Sequence, residues 1–230
     1  MKTIGVLGGI SPQATMDFEA RLHAVAQQLI PQEGNRGYPP LVVYYHRNAP
    51  VVIDEHSLPL FPIQPDPAFL DAARRLGTWA DFLVITANAP HLLQPAIEEA
   101  AGKPVLSMVT LVLDAVRQRG WTRVGLLGLG EPRVYQQPLE ALGLAYEILP
   151  AAERAPLDQA IIALMEGRAD AGTQAVARTA VASLRTRGVD GVVLGCTEIP
   201  LLLQDDAQAP DLINPIGLLA EAAVRRALAD

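Results

Sequence analysis

A pattern of five residues occurs twice in this chain. Ile4-Gly5-Val6-Leu7-Gly8 matches Val124-Gly125-Leu126-Leu127-Gly128, and each stands at the start of one half. A second pair follows downstream. Asp81-Phe82-Leu83-Val84-Ile85-Thr86-Ala87-Asn88-Ala89-Pro90-His91-Leu92-Leu93 lies beside Asp190-Gly191-Val192-Val193-Leu194-Gly195-Cys196-Thr197-Glu198-Ile199-Pro200-Leu201-Leu202. Ala87 follows Asp81, and Cys196 follows Asp190, by the same six positions, which makes Ala87 the repeat partner of Cys196. A duplicated pattern of this kind restricts the chain to two similar substructures.

Short apolar runs rich in Val, Ile and Leu recur at 3–8, 40–45, 81–86, 123–128 and 191–195. Each leads through Gly, Ser, Thr, Asn or Pro into a segment of helical spacing, which reads as parallel βα units. Helices are expected over 13–30, 66–77, 91–101, 109–119, 133–142, 154–167, 170–187 and 216–228, several of them ending near Gly77, Gly120, Gly167 or Gly188. The segments 32–40 and 48–67, loaded with Pro, Gly, His and Asp, are expected to be long loops. The fold class is α/β: two pseudo-symmetric lobes, each a parallel sheet flanked by helices, the first formed by residues 1–113 with 213–230 and the second by 114–212. Open α/β sheets bind ligands at the C-terminal ends of their strands. The expected active site is therefore a cleft between the lobes, with Ala87 opposite Cys196.

With half of its 230 residues apolar, the chain can bury a sizeable core, in one domain or two lobes of about 100 residues each. A net charge of -7 offers no basic field for nucleic acid or an anionic membrane surface. The N-terminus runs straight into a strand-like segment without a signal pattern, and no run reaches the roughly 18 apolar residues of a membrane span; the expectation is a cytoplasmic protein. A single cysteine excludes an internal disulfide framework and a CxxC metal cluster. No metal site is expected.

Gly8-Gly9-Ile10-Ser11-Pro12 closes the first strand and opens a helix, so the backbone N–H groups around Gly9, Ile10 and Ser11 could hold a carboxylate or phosphate, or form only a tight turn. The dinucleotide fingerprint fails here because Ile10 and Gln13 stand where glycine is required. Cys196 follows a strand and precedes Thr197-Glu198. A helix N-terminus there would lower its pKa and make it an acid or base; otherwise it is a small buried hydrophobe. Asn88 and Thr197, one residue past Ala87 and Cys196, either bind the ligand's carboxylate or amine or cap the following helix. Glu198 either orients an ammonium and raises the thiol pKa, or is a first-turn carboxylate. His46, His56 and His91 form no metal set and read as surface or loop histidines, although His91 could stand in for a missing base. Arg47 is a candidate carboxylate clamp or a solvated loop residue.

Three of these motifs together resemble the cofactor-independent aspartate/glutamate racemase superfamily: Gly8-Gly9-Ile10-Ser11-Pro12 for its GG-x-(G/S)-P, Ala87-Asn88-Ala89-Pro90-His91 for its C-N-T-x-H, and Gly195-Cys196-Thr197-Glu198 for its G-C-T-E. The likeness covers nearly the whole chain, including Leu219-Ala220-Glu221-Ala222-Ala223. It implies an amino-acid racemase in which two thiols flank the substrate Cα, one removing a proton and the other returning one. It also implies substrate contacts at Gly9, Ile10, Ser11, Asn88, Ala89, Thr197 and Glu198, no pyridoxal phosphate or other cofactor, and a homodimer. The sequence departs from the family at Ala87, which has no proton to move and leaves Cys196 as the only thiol. Thr86 next to it is expected to point away from the cleft, because successive strand residues face opposite sides. Val51-Val52, Leu129, Glu166-Gly167 and Asn214-Pro215 also depart from the family pattern, which puts aspartate itself in doubt as substrate. Two alternatives stand beside the racemase: a single-thiol lyase resembling the arylmalonate decarboxylases, and a ligand-binding homologue that has lost its chemistry.

Overall fold

A strand rich in Val, Leu and Ile is stable where helices cover both of its faces, and a parallel neighbour is reached through such a helix. The computed structural model, which describes residues 1–34, 36–53 and 63–229, is built on that rule. It divides into two units, Met1–Met108 with Ile216–Asp230, and Val109–Pro215.

The first unit runs β1 (Ile4–Gly8), α1 (Pro12–Leu29), β2 (Leu41–Tyr45), α2 (Pro67–Gly77), β3 (Phe82–Ile85), a 3-10 turn over Ala89–Leu93, and α3 (Gln94–Ala101). Its sheet has the order β2-β1-β3, all parallel, with Leu7 paired to Tyr44 on one side and Ile85 on the other. Leu7, Leu83 and Ile85 pack with Phe69, Ala72, Ala73 and Leu76 of α2 and with Ile97 of α3. Two helices start at side-chain caps followed by proline. Ser11 accepts from the Ala14 N–H at 3.5 Å, and Asp66 from the Ala68 and Phe69 N–H groups at 2.9 and 3.1 Å.

After α4 (Met108–Gln118), the second unit runs β4 (Arg123–Leu127), α5 (Arg133–Ala141), β5 (Ala145–Ile148), α6 (Ala151–Met165), α7 (Ala171–Arg185), β6 (Gly191–Leu194), α8 (Ile199–Leu203) and β7 (Leu212–Ile213). The order of its sheet is β5-β4-β6-β7, again parallel, and Leu127 is paired with Leu194. Leu127, Val192 and Leu194 pack with Leu157 and Ile161 of α6 and with Val181 and Leu184 of α7. The chain then returns to the first unit through α9 (Pro215–Leu228), where the Lys2 N–H donates to the Ala227 carbonyl at 2.8 Å and the Arg226 guanidinium lies 5.1 Å from the centre of the Phe82 ring.

Both sheets are wound alike, with the first strand of each unit between the second strand and the strand led by the repeated aspartate. That aspartate has a structural task. Asp81 Oδ2 accepts the Thr3 N–H at 2.6 Å, and Asp190 Oδ2 accepts the N–H groups of Thr122 and Arg123 at 2.6 and 2.9 Å. Each ties the start of its central strand to the strand beside it. The helix expected over 91–101 begins instead as a 3-10 turn, and β5, β7 and α8 are additions to the elements read from the sequence. No helix among the described residues is long and apolar enough to cross a membrane.

Candidate active site

The Gly8–Ser11 turn at the end of β1 is shaped by what surrounds it. Gly9 has φ +80°, and a Cβ there would collide with the backbone of Tyr45 and come within 2.7 Å of the His46 nitrogen. Only glycine meets both demands. Beneath the turn, the Gly9 N–H donates to Thr15 Oγ1 at 2.9 Å, and Thr15 Oγ1 lies 2.8 Å from Thr86 Oγ1. Thr15 donates its own proton to the Ser11 carbonyl at 3.1 Å, which leaves Thr86 as the donor between the two hydroxyls. Strand β3 has ended at Ile85, so alternation along the strand no longer governs Thr86; its buried hydroxyl turns to Thr15 and is spent on holding the turn. Thr15 was missed by the sequence reading, although its place four residues after Ser11 puts it on the same face of α1.

Ala87 is half-buried and Ala89 exposed, with Asn88 buried between them. Asn88 makes no side-chain cap to the turn that follows it. His91 corrects the expectation of a surface histidine: it is 7% exposed, and burial holds its pKa down at about 4. Its Nδ1 lies 3.0 Å from the Ala87 carbonyl and 3.1 Å from that of Asn88, while Nε2 accepts the Met108 N–H at 3.1 Å. Nδ1 therefore carries the proton. Both ring nitrogens are occupied, and the neutral ring ties the 87–88 backbone to the start of α4; it is no replacement base. His46 is likewise buried, with Nε2 3.4 Å from the Ala49 carbonyl and its ring edge-on to Phe69. His56 lies outside the described residues. Exposed Arg47 stacks over the Tyr45 ring at 4.9 Å.

In the second unit Gly195 lets the chain pass over β4, since a Cβ there would come 2.6 Å from the Leu127 carbonyl oxygen. Half-buried Cys196 follows, and then Thr197 and Glu198, each 3% exposed. Cys196 Sγ donates to Glu198 Oε2 at 2.9 Å, and Thr197 Oγ1 donates to the same oxygen at 3.1 Å. The helix that follows, α8, is a five-residue segment, and the expected lowering of the thiol pKa is overturned. Burial pushes the thiol well above its ordinary value, and the charge and hydrogen bond of Glu198 add to the rise, against the backbone N–H groups of Glu198 and Leu129 that point at the sulfur. The Leu129 contribution comes from its main chain and has no side-chain signature to read. Thr197 and Cys196 both donate to Glu198, whose side chain makes no cap to α8.

The strand registers give Ala87 and Cys196 the same address. Each lies two residues beyond the residue paired to the end of the central strand, Ile85 to Leu7 and Leu194 to Leu127. Among the described residues no three His, Cys, Asp or Glu side chains group to hold a metal ion. A cavity of about 600 Å³ in the second unit is lined by Val181, Leu203 and Leu212 and by Arg178 and Arg185, which are paired with Asp206 and Asp211; no residue of Gly195–Glu198 lines it.

Two parallel α/β units, each with a Gly-containing exit from its central strand, β1 or β4, define a duplicated α/β protein. The model of the Asp/Glu/Hydantoin racemase family matches residues 7–223, and the chain belongs to that family. A curated relative, the broad specificity amino-acid racemase RacX of Bacillus subtilis (strain 168), is 24% identical over 237 residues, covering 98% of this chain and 98% of the relative. The fold is shared with an aspartate racemase from Picrophilus torridus (TM-score 0.77, 19% identity, 99% of this chain and 94% of that one). It is shared as well with an aspartate racemase homologue from Pyrococcus horikoshii OT3 (TM-score 0.75, 22% identity, 100% of both chains).

Proposed function

We propose that the protein is an amino-acid racemase-type enzyme that transfers a proton at the carbon α to a carboxylate, with Cys196 as its acid and base and Ala87 where the family's other thiol stands. The observation that carries this reading is the seat of Cys196. Its sulfur lies at the exit of β6, in hydrogen-bond contact with a buried carboxylate and faced by the N–H groups of Glu198 and Leu129, so a titratable group is held ready for proton transfer. The substrate is a small amino acid or related acid. Its carboxylate is assigned to the N–H groups of Ile10 and Ser11 at the start of α1, that of Gly9 being spent on Thr15, and on the family resemblance Asn88, Ala89 and Thr197 are further contacts. On the family resemblance, the expected working form is a cofactor-free cytoplasmic homodimer.

A second reading draws on a specific observation: the Cys196 thiol lies in hydrogen-bond contact with the Glu198 carboxylate, which favours its protonated form, and Ala87 offers no partner. Decarboxylation of a substituted malonate breaks the C–CO2 bond, leaves the electron pair on Cα and needs one proton, which the Cys196 S–H group supplies from one face.

Proton NMR in D2O with L- and D-amino acids and substituted malonates, beside Cys196→Ala, decides between them. Cys196-dependent exchange at Cα with inversion would establish a racemase and call for a second base, exchange with retention would support one-sided proton transfer by Cys196, and the lyase predicts CO2 release from a malonate. Wild-type protein that neither exchanges nor turns over these ligands would sink both readings and favour a binding role.

A further inference from the structure

The acid and base roles of Cys196 depend on where its proton rests, and the residue that faces the thiol is Glu198. We propose that Glu198 is the positioning residue of Cys196: with Thr197 pinning its Oε2, it holds the proton on sulfur, so that the resting enzyme presents a proton donor, and it is not itself a substrate ligand. The inference rests on the reading of Cys196 as the group that transfers the proton.

The geometry separates this role from substrate binding. Glu198 is 3% exposed, and its Oε2 is engaged twice from its own loop, by Sγ at 2.9 Å and by Thr197 Oγ1 at 3.1 Å. A carboxylate so engaged and so deeply placed is poorly disposed to receive a ligand's ammonium. Negative charge beside sulfur opposes a second negative charge on it, and burial strengthens that opposition because little water screens the pair. The other elements around the thiol bring little charge to bear. The loop after β4 contributes the Leu129 N–H, and the core beside it is apolar, with Leu127, Leu194 and Ile199. Tyr135 of α5, whose ring would meet a Cβ on Gly195 at 3.2 Å, is fully buried, and burial pushes its phenol further up, so that it stays neutral.

The proton step balances within this arrangement. The S–H bond breaks and its electron pair stays on sulfur, while the carbanion's pair forms the new C–H bond. The product thiolate then lies beside the Glu198 carboxylate, an unfavourable pairing that drives sulfur to take up a proton again, from substrate or from water. Donation therefore fails as pH rises through the thiol's midpoint, and Glu198 sets where that midpoint lies.

Because the chain has one cysteine, alkylation by iodoacetamide reports on Cys196 alone, without need of activity. In wild-type protein the alkylation midpoint is expected above that of a free cysteine, and in Glu198→Gln it should move down. One unit of midpoint is a factor of ten in thiolate, so alkylation at pH 7 should be about tenfold faster or more in the variant. With a substrate that exchanges its Cα–H, where sulfur must first remove the proton as thiolate, the acid limb of kcat in Glu198→Gln should shift down in step with the alkylation midpoint, and with a malonate that loses CO2 the alkaline limb should do so, while KM stays put in both. An unmoved midpoint overturns the proposal, as does a raised KM with an unmoved limb, the mark of a substrate ligand. Glu198→Asp keeps the charge and should hold the midpoint near the wild-type value; it serves where the Gln variant does not fold, and a midpoint that drops as far as an uncharged neighbour would require overturns the proposal too. Absence of Cys196-dependent exchange in the wild type counts against the functional reading, whereas the alkylation profiles decide the pairing by themselves.

Discussion

His91 has the chemistry of a general base and a place in the repeated motif close to Ala87, yet its surroundings make it a neutral tie. Its folded pKa of about 4 lies below the ordinary 6.5, so the unfolded chain binds the proton more readily between those values. The stability that burial of the neutral ring confers is complete above about pH 6.5 and is lost as pH falls through 4, an effect on the order of 3 kcal/mol. Urea unfolding between pH 7 and 4.5 should show that loss, and His91→Gln, though less stable at pH 7, should flatten the dependence; an equally steep profile in the variant would assign the pH sensitivity elsewhere. Ala87 makes the complementary case. If its position is that of the second acid/base, Ala87→Cys should raise racemisation by about 10² or more, the usual worth of a positioned proton-transfer group. Deuterium exchange scored for inversion checks this, and an unchanged rate would deny the position its role. At this scale the sequence exposed the motif residues because they repeat, and it hid environments. Burial of His46, His91 and the Cys196 thiol and the Thr15–Thr86 hydroxyl pair depend on neighbours distant in the chain, whereas the push of Glu198 on the thiol is local and legible in the motif.

At the scale of elements, legibility followed length and periodicity. The runs at 3–8, 40–45, 81–86, 123–128 and 191–195 became strands β1 to β4 and β6 because each is a continuous apolar stretch between turn residues. Strand β5 escaped because Ala145, Tyr146, Glu147 and Ile148 lie at a sheet edge with one flank open, where polar residues are tolerated. β7 and α8 are only two and five residues long, too short for any period to register. The element with the sharpest requirement is the turn from β1 into α1. Gly9→Ala combines a left-handed backbone with collision against the Tyr45 backbone, and should cost about 2 kcal/mol or more. Urea unfolding measures the cost, and a loss under 0.5 kcal/mol would mean that the turn readily rearranges.

The molecule as a whole is organised by an interruption: the first unit is left after Met108 and rejoined at Ile216. Helix α9 buries Ile216, Leu219, Ala220, Ala223, Val224 and Ala227 completely. At about 1.5–3 kcal/mol for each large aliphatic side chain, Ile216, Leu219 and Val224 alone contribute roughly 5 kcal/mol, comparable to the net stability of a domain. Removing 215–230 should therefore open the first unit to protease between residues 1 and 108 while the second stays resistant, and equal cleavage of both would show that the units do not stand apart. The same interruption separates the fates of the two units when α9 is missing. Residues 109–215 form one continuous stretch with every strand of their own sheet, whereas residues 1–108 depend on a helix supplied after that stretch. A released chain that ends at residue 215 should thus close the unit that carries Cys196 and leave the unit that carries Ala87 with an apolar face that a chaperone would recognise.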